Sequence, residues 1–245
     1  MSDLLTVLKA ASRMPFFETG YDGWDYATPG GTVFLVEVEG KPYAITASHV
    51  SRDFTWKNLC LTDAKHGREI AGLNAVHYAS DLIGDAEGTD FGDITVIEFS
   101  DDVTTDFFAQ LYPLNATTTG QAETGNALIA YGCPKQMSQI DERTIKPVFA
   151  ALGFEDTGPH AHDAFLRTAE ARWADPVLTS LAGMSGGPIF NNTKDVLSGV
   201  MIRDGISSQH ASAKFIDIED VMQLIGAIRS GKSGMTYRKT VKHPV

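Results

Sequence analysis

The stretch Leu181-Ala-Gly-Met-Ser-Gly-Gly-Pro-Ile-Phe190 decides how this 245-residue sequence is interpreted. It places Ser185 among small residues, so a substrate carbonyl group can approach the serine hydroxyl. Gly183 has no Cβ, so the turn can aim the backbone N–H groups of Gly183 and Ser185 at one point, where an oxyanion develops during acyl transfer. The stretch therefore predicts a serine nucleophile beside an oxyanion hole.

A serine hydroxyl is a weak nucleophile at neutral pH, so Ser185 needs a base, and that base needs an acid to orient it. The candidate base is His49, at the end of the apolar, β-prone run Tyr43-Ala-Ile-Thr-Ala-Ser-His-Val50. The candidate acid is Asp93. Asp90, three residues earlier, is the rival acid, and Asp93 is preferred because it directly precedes an apolar alternation that predicts a strand.

Three short motifs together resemble one protein family. They are Thr46-Ala-Ser-His-Val50, Asp93-Ile-Thr-Val96 and Gly183-Met-Ser-Gly-Gly-Pro188, in the order histidine, aspartate, serine. The chain resembles the trypsin-like (chymotrypsin-fold) serine peptidases, and among them the bacterial-type branch with short loops. The resemblance extends from about residue 31 to residue 224. It implies a catalytic triad and an adjoining oxyanion hole, formed by His49, Asp93, Ser185 and the N–H groups of Gly183 and Ser185.

The same resemblance implies an all-β fold of two antiparallel six-stranded-type β-barrels, with the site in the cleft between them. Short β-prone runs agree with it, beginning with a hairpin that turns at Glu39 and Gly40. Apolar spacing predicts a C-terminal α-helix from Ile218, capped by Asp217, and a short N-terminal helix. The predicted units are an N-terminal helix and lead-in (1–30), a first barrel (31–120), a second barrel with the C-terminal helix (121–230) and a flexible tail (231–245).

Substrate preference follows from the resemblance. In the family, the residue six before the nucleophile lies at the bottom of the primary specificity pocket, and here it is Thr179. A neutral residue there, with the small Ala213 near the pocket wall, favours a neutral P1 side chain of small or medium size. The backbone of Ile202, Arg203 and Asp204 should border the cleft and pair with an extended peptide. Arg203 and Asp204 either add selectivity for charge or are solvated loop residues.

Two other functions stay open. Gly183-Met-Ser-Gly-Gly187 also matches the nucleophile elbow of α/β-hydrolase esterases, with Asp204 and His210 as nominal acid and base downstream. That fold needs a helix after the serine, whereas Pro188 and the residues after it predict a hairpin. The second alternative is a peptidase fold that binds peptides without cleaving them, and the complete triad argues against it.

Composition limits the classes of molecule that this protein is expected to bind. The net charge of −11, with no basic stripe, disfavours nucleic acid, and no apolar run is long enough to span a membrane. His160 and His162 have the spacing of two metal ligands, but no nearby pattern completes a set, so neither a metal nor a cofactor is expected. The expected partner is a protein or peptide substrate. An activating partner protein stays an open alternative, and the sequence leaves the oligomeric state undetermined.

Localisation follows from the first residues and the cysteines. The first 14 residues lack the basic and continuous apolar regions of a signal peptide. Cys60 and Cys133 lie far apart in sequence, and two free thiols are typical of a reducing compartment. The sequence therefore predicts a cytoplasmic protein.

The identity of residue 184 indicates how the proposed peptidase is activated. In trypsin-type activation, a new N-terminus folds inward and its ammonium group pairs with an aspartate just before the nucleophile. Met184 occupies that position here and cannot pair with a cation. We therefore expect the oxyanion turn to be ordered by apolar packing, with Met184 as a candidate anchor, or by a partner or substrate.

Overall fold

The computed structural model describes residues 2–21, 24–28, 30–52, 55–61, 70–82, 90–103, 107–108, 111–141, 144–163, 165–172, 178–207 and 210–231. Strands dominate this part of the chain. The helices are α1 (Ser2–Ala11), α2 (Ser48–Ser51), α3 (Ala79–Leu82) and α4 (Ile218–Arg229). Two 3₁₀ turns cover Trp56–Asn58 and Asp90–Asp93.

The first half of the chain forms two sheets. Its strands are β1 (Ser12–Arg13), β2 (Phe16–Tyr21), β3 (Trp24–Ala27), β4 (Val33–Val38), β5 (Lys41–Ala47), β6 (Leu59–Cys60), β7 (Leu73–Tyr78), β8 (Ile94–Phe99) and β9 (Tyr112–Pro113). The larger sheet has the order β1-β4-β5-β8-β7, and β9 pairs with β4 in parallel. The smaller sheet has the order β3-β2-β6.

The second half closes into a six-stranded antiparallel barrel. Its strands are β10 (Ala127–Gly132), β11 (Gln139–Asp141), β12 (Thr144–Lys146), β13 (Ala150–Pro159), β14 (Leu166–Arg172), β15 (Pro188–Asn191), β16 (Val196–Ile206) and β17 (His210–Asp217). The barrel order is β10-β13-β14-β17-β16-β15, while β11 and β12 form a separate hairpin. The hairpin of β15 and β16 directly follows Ser185, which excludes the helix that an α/β-hydrolase elbow requires.

Turn chemistry sets the register of the hairpin that leads to the site. Glu39 and Gly40 both have positive φ, 50° and 79°, as the two-residue turns that match the twist of paired strands require. The pairing of β4 with β5 then runs from Val38 and Lys41 to Phe34 and Ile45. The hairpin predicted from the sequence is confirmed, and it delivers the end of β5 to the site.

One apolar core joins the two halves. It includes Phe34 and Ile45 from the first half, Val200 and Ile216 from the second, and buried residues of both terminal helices. From α1, Leu8 and Ala11 are fully buried. From α4, the predicted stripe packs into the core, with Val221, Leu224 and Ile225 buried and Ile228 partly buried. The N-terminal helix is therefore part of the packed structure.

The predicted fold class is confirmed: the chain is mainly β, with a closed barrel, a short N-terminal helix and a C-terminal helix. Within residues 1–30, β1 pairs with β4 and β2 pairs with β6, so the lead-in belongs to the sheets of the first half. Asp217 precedes α4 as predicted but makes no side-chain cap bond, and its carboxylate instead lies 4.0 Å from the Arg167 guanidinium. The tail from residue 232 lies outside the described residues.

No helix among the described residues is both long and apolar enough to cross a bilayer.

Candidate active site

His49 and Asp93 form a hydrogen-bonded pair at one edge of the first half. Asp93 Oδ2 lies 2.7 Å from His49 Nδ1, and Asp93 Oδ1 accepts a 2.9 Å bond from the His49 backbone N–H. The carboxylate therefore holds both the ring and the backbone of one residue. The Asp93 side chain is 15% exposed and the His49 side chain 50%, so the imidazole faces solvent while the carboxylate is mostly covered.

Local structure explains why the two side chains meet. His49 lies in α2, directly after β5, and Asp93 ends the 3₁₀ turn directly before β8, which pairs with β5. Ser48 ties the two segments together, since its hydroxyl lies 2.8 Å from Thr95 Oγ1 and 3.3 Å from the Gly92 carbonyl oxygen. Asp90 begins the same 3₁₀ turn, and its side chain lies outside the described residues.

The turn around Ser185 has an ordered pattern of backbone hydrogen bonds. The N–H groups of Met184, Gly186 and Gly187 donate to the carbonyl oxygens of Leu181, Met201 and Met184, at 2.7–2.9 Å. The N–H of Ala182 donates to Ser180 Oγ at 3.1 Å. Within the described part of the chain, the N–H groups of Gly183 and Ser185 have no acceptor. Two free N–H donors separated by one residue are what an oxyanion hole requires.

Gly183 is the residue on which this geometry depends. Its φ is +99°, and with the bond from Met184 N–H to the Leu181 carbonyl this is the conformation of a type II turn. A Cβ at this position would lie 2.4 Å from the Cys133 carbonyl oxygen and 2.7 Å from the Lys135 backbone nitrogen. Both the backbone angle and the space therefore demand glycine.

The serine turn packs directly on the end of the first half that carries His49. The Ser185 carbonyl accepts a 2.8 Å bond from the Thr32 N–H. A Cβ on Gly186 would lie 2.4 Å from Thr46 Oγ1, and Thr46 stands three residues before His49. Among the described residues, the Ser185 hydroxyl and the His49 ring are not hydrogen-bonded to each other. Such bonds are often long in structures without substrate and tighten when it binds.

The sequence match agrees with this geometry. The family described as the trypsin-like peptidase domain matches residues 31–200, which include the histidine, the aspartate and the serine. The chain belongs to the trypsin-like peptidase family. A search of curated proteins found no significant match to it.

Solved structures share the fold of this trypsin-like peptidase. One is the scabies mite inactivated protease paralogue S-I1, with 14% identity, TM-score 0.60, and coverage of 92% of this chain and 96% of that chain. Another is an inactive serine-to-alanine form of Rv3671c from M. tuberculosis, with 13% identity, TM-score 0.55, and 95% and 93% coverage. The MamO protease domain from Magnetospirillum magneticum has 13% identity, TM-score 0.54, and 90% and 98% coverage. At these identities the likeness concerns the fold.

Met184 is fully buried in the apolar cluster of the second barrel, together with Leu181 and Met201. The position at which trypsin-type activation requires an aspartate is therefore filled by an apolar side chain that anchors the serine turn to the core. This packing fits the expected role of Met184.

Asp204 lies close enough to His49 to interact with it through space. Desolvation raises the pKa of the Asp204 carboxyl, and the charge of the His49 imidazole lowers it in part. The residue as a whole remains exposed, so solvent still screens this charge.

The other predicted substrate-binding residues differ in their exposure to solvent. Thr179 is exposed, and both its N–H and its hydroxyl lie within 3.2 Å of Gln136 Oε1. Arg203 is exposed on β16. Ile202 and Ala213 have no exposed surface and belong to the core.

The pairing of β16 with its neighbours changes along the strand. Strand β15 pairs with residues 196–200 of β16, whereas β17 pairs with residues 199–206. Beyond Met201, β16 has a ladder neighbour on one side only among the residues that the structure describes, and the register shifts between Met201 and Arg203. An extended peptide can add to such an edge by backbone hydrogen bonds.

A pocket of about 500 Å³ opens next to this edge, between the ends of β14, β16 and β17. Its lining consists of Glu170, Gly205, Ile206, Ser207, His210, Ala211 and Ser212. None of the three triad residues lines it. The sequence contained no signal for this pocket, because its lining comes from three separate strands.

The remaining polar candidates build no second site in the described part of the chain. His160 and His162 have ring centroids 6.0 Å apart, but no group of three metal-ligating side chains occurs there. Cys60 and Cys133 are buried and free, and burial raises the pKa of both thiols.

Sequence reasoning missed Thr32, whose backbone and side chain both contact the serine turn. No local pattern could have identified it, because its partner Gly183 is 151 residues away in the chain.

Proposed function

We propose that this protein is a serine endopeptidase that cleaves peptide bonds through an acyl-enzyme intermediate. The observation that carries the proposal is the hydrogen-bond pattern of the turn at residues 182–187. Every neighbouring N–H group is engaged, and those of Gly183 and Ser185 are left to bind an oxyanion. This arrangement has a use in acyl transfer and none in fold stability, since free N–H donors contribute nothing to stability.

In the proposed mechanism, Asp93 accepts a hydrogen bond from the Nδ1–H of His49, which leaves Nε2 as the free proton acceptor. Nε2 takes the proton of the Ser185 hydroxyl as the serine oxygen attacks the peptide carbonyl. The N–H groups of Gly183 and Ser185 donate to the oxyanion. His49 then returns the proton to the leaving amine, and water hydrolyses the acyl-enzyme by the same route. No metal or other cofactor takes part.

The proposed substrate is a protein or peptide that binds in extended form along the free edge of β16. We propose a neutral P1 side chain of small or medium size, since Thr179 carries no charge that would pair with a cation. We also propose a cytoplasmic location, which the two free, buried thiols support.

A fluorophosphonate probe tests the proposal, because it reacts only with a serine that an adjacent base activates. We expect the wild type to be labelled and Ser185→Ala to be unlabelled, with mass spectrometry placing the adduct on Ser185. A catalytically silent peptide-binding module is the second candidate. The missing hydrogen bond between His49 and Ser185 and the inactivated scabies mite paralogue of the same fold both favour it. An unlabelled wild type that binds peptides would establish it.

We further propose that the site needs no N-terminal trimming, since Met184 packs the turn in place. Uncut protein should react with the probe, either directly or after a partner or substrate binds. Labelling that appears only after cleavage near Gly30 would contradict this.

A further inference from the structure

Thr32 lies at the junction of the two halves, directly before β4, and is fully buried. Its N–H donates to the Ser185 carbonyl at 2.8 Å, and its own carbonyl accepts a 2.8 Å bond from Thr46 Oγ1. Its hydroxyl donates to the Gly183 carbonyl at 2.9 Å and accepts from the Cys133 N–H at 2.9 Å. One residue thus binds the serine turn by both backbone and side chain.

The direction of the two hydroxyl bonds follows from their partners. A backbone N–H can only donate and a carbonyl oxygen can only accept, so the hydroxyl proton goes to Gly183 and a lone pair receives Cys133 N–H. The hydroxyl has no room to rotate away. A Cβ on Gly132 would lie 2.9 Å from Thr32 Oγ1, which shows how closely the barrel strand packs on this side chain.

The Thr32 hydroxyl is one of several groups that hold the peptides on either side of Gly183. Glycine adopts many backbone conformations, so the orientation of the Gly183 N–H depends on what holds the two peptide groups around it. The Lys135 N–H holds the Ala182 carbonyl at 2.7 Å, and the Thr32 hydroxyl holds the Gly183 carbonyl. In a trans peptide the N–H points opposite to the carbonyl, so Ala182 bonded to Lys135 directs the Gly183 N–H away from Lys135.

We propose that the Thr32 hydroxyl is a positioning group for the oxyanion hole: by holding the Gly183 carbonyl it fixes the Gly183–Met184 peptide, which joins the two donors, and so keeps the N–H groups of Gly183 and Ser185 in place relative to each other. The inference rests on the proposed peptidase function. Thr32 itself does not touch substrate, and its effect is transmitted through Gly183.

The test compares Thr32→Val, which has nearly the same shape without the hydroxyl, with Thr32→Ser, which keeps the hydroxyl. Ser198→Ala is the matched control, because the Ser198 hydroxyl is also buried and also donates to a glycine carbonyl, that of Gly120, at 2.6 Å. Thr32→Val and Ser198→Ala should both lower the thermal midpoint.

Only Thr32→Val should lower kcat, by about 10², toward the loss that follows removal of one oxyanion donor, with KM unchanged. Thr32→Ser should restore kcat to within a few-fold of wild type. A folded Thr32→Val with wild-type kcat, or an equal kcat loss in Ser198→Ala, would overturn the inference. Where Thr32→Val does not fold, Thr32→Ser and Thr32→Ala, which differ only in the hydroxyl, give the same comparison.

A second readout is independent of activity. Crystal structures of wild type and Thr32→Val should differ in the orientation of the peptide between Gly183 and Met184. An unchanged peptide in Thr32→Val would overturn the inference even if kcat fell. If wild type neither reacts with the probe nor cleaves peptides, the proposed function fails, and these structures still decide whether Thr32 positions Gly183.

Discussion

The two halves of the candidate site are held by different kinds of interaction. His49 is held by the side chain of Asp93 and keeps an imidazole that is half exposed. Ser185 is 6% exposed and lies in a turn held mainly by backbone hydrogen bonds and by the packing of Met184. In the proposed mechanism, the first half contributes a group that must exchange protons, while the second contributes donors that must stay fixed.

We therefore expect the two halves of the site to lose activity through different kinds of substitution. A change of side-chain chemistry should disable the histidine half without disturbing its shape, because its groups act through their protons. A change of backbone shape should disable the serine half without removing any reactive group, because its N–H donors act through their direction.

Loss of either reactive side chain should give the largest effect. We expect Ser185→Ala and His49→Ala each to reduce kcat by roughly 10⁶, as in other serine proteases, because neither residue functions without the other. The double variant should be no worse than either single one. Peptide hydrolysis measures all three, and additive losses would show that the two halves do not act as a unit.

Asp93→Asn should cost about 10⁴ in kcat, because an amide stabilises the wrong tautomer of His49. Asp90→Asn is the matched control, from the same 3₁₀ turn. It should leave kcat close to wild type. A large loss in Asp90→Asn with little loss in Asp93→Asn would reassign the acid.

Gly183→Ala should reduce kcat by about 10²–10³ without removing a reactive group, because the turn must reorganise to admit a Cβ. Gly125→Ala is its control: Gly125 also has positive φ, +89°, but its Cβ would meet nothing within 4 Å. Both variants should be less stable, and only Gly183→Ala should lose kcat. Full activity in Gly183→Ala would remove Gly183 from the oxyanion hole.

The smallest expected effect concerns stability on the histidine side. Burial raises the pKa of Glu98, but its hydrogen bonds with His77 and Lys41 outweigh this and hold the pKa below its usual value of 4.5. Because the pKa is lowered on folding, the bonds stabilise the protein above about pH 4.5, and this contribution is lost as the pH falls through the folded-state pKa.

Glu98→Gln should therefore lower Tm at pH 7 by about 2–4 °C, which corresponds to about 1 kcal/mol in a chain of this size. The difference from wild type should shrink below pH 4.5. Calorimetry over this range is the measurement. A difference that is constant with pH would show that the carboxylate charge is not what stabilises the fold, and kcat should be unaffected.

The sequence was most informative where chemistry restricts the residue type. His49, Asp93, Ser185 and Gly183 were recognisable because a general base, an orienting acid, a nucleophile and a close backbone turn each tolerate few residues. The sequence was less informative about what individual residues contact in the folded protein. Asp217 was expected to cap α4, but it makes no side-chain cap bond, and its carboxylate lies 4.0 Å from the Arg167 guanidinium on β14. For Ala213, expected near the wall of the specificity pocket, the sequence did not show that the residue is fully buried.

The sequence by itself determined the class of fold and the candidate reactive residues, since both depend on residue types in short motifs and on local alternation of apolar and polar side chains. Only the tertiary structure decided how the serine turn is held. Thr32 and Gly183 stand 151 residues apart, and their hydrogen bond exists because β4 and the end of β10 meet at the junction of the two halves. A hydroxyl donates to one particular carbonyl only when folding removes both groups from water and leaves the hydroxyl proton no other acceptor.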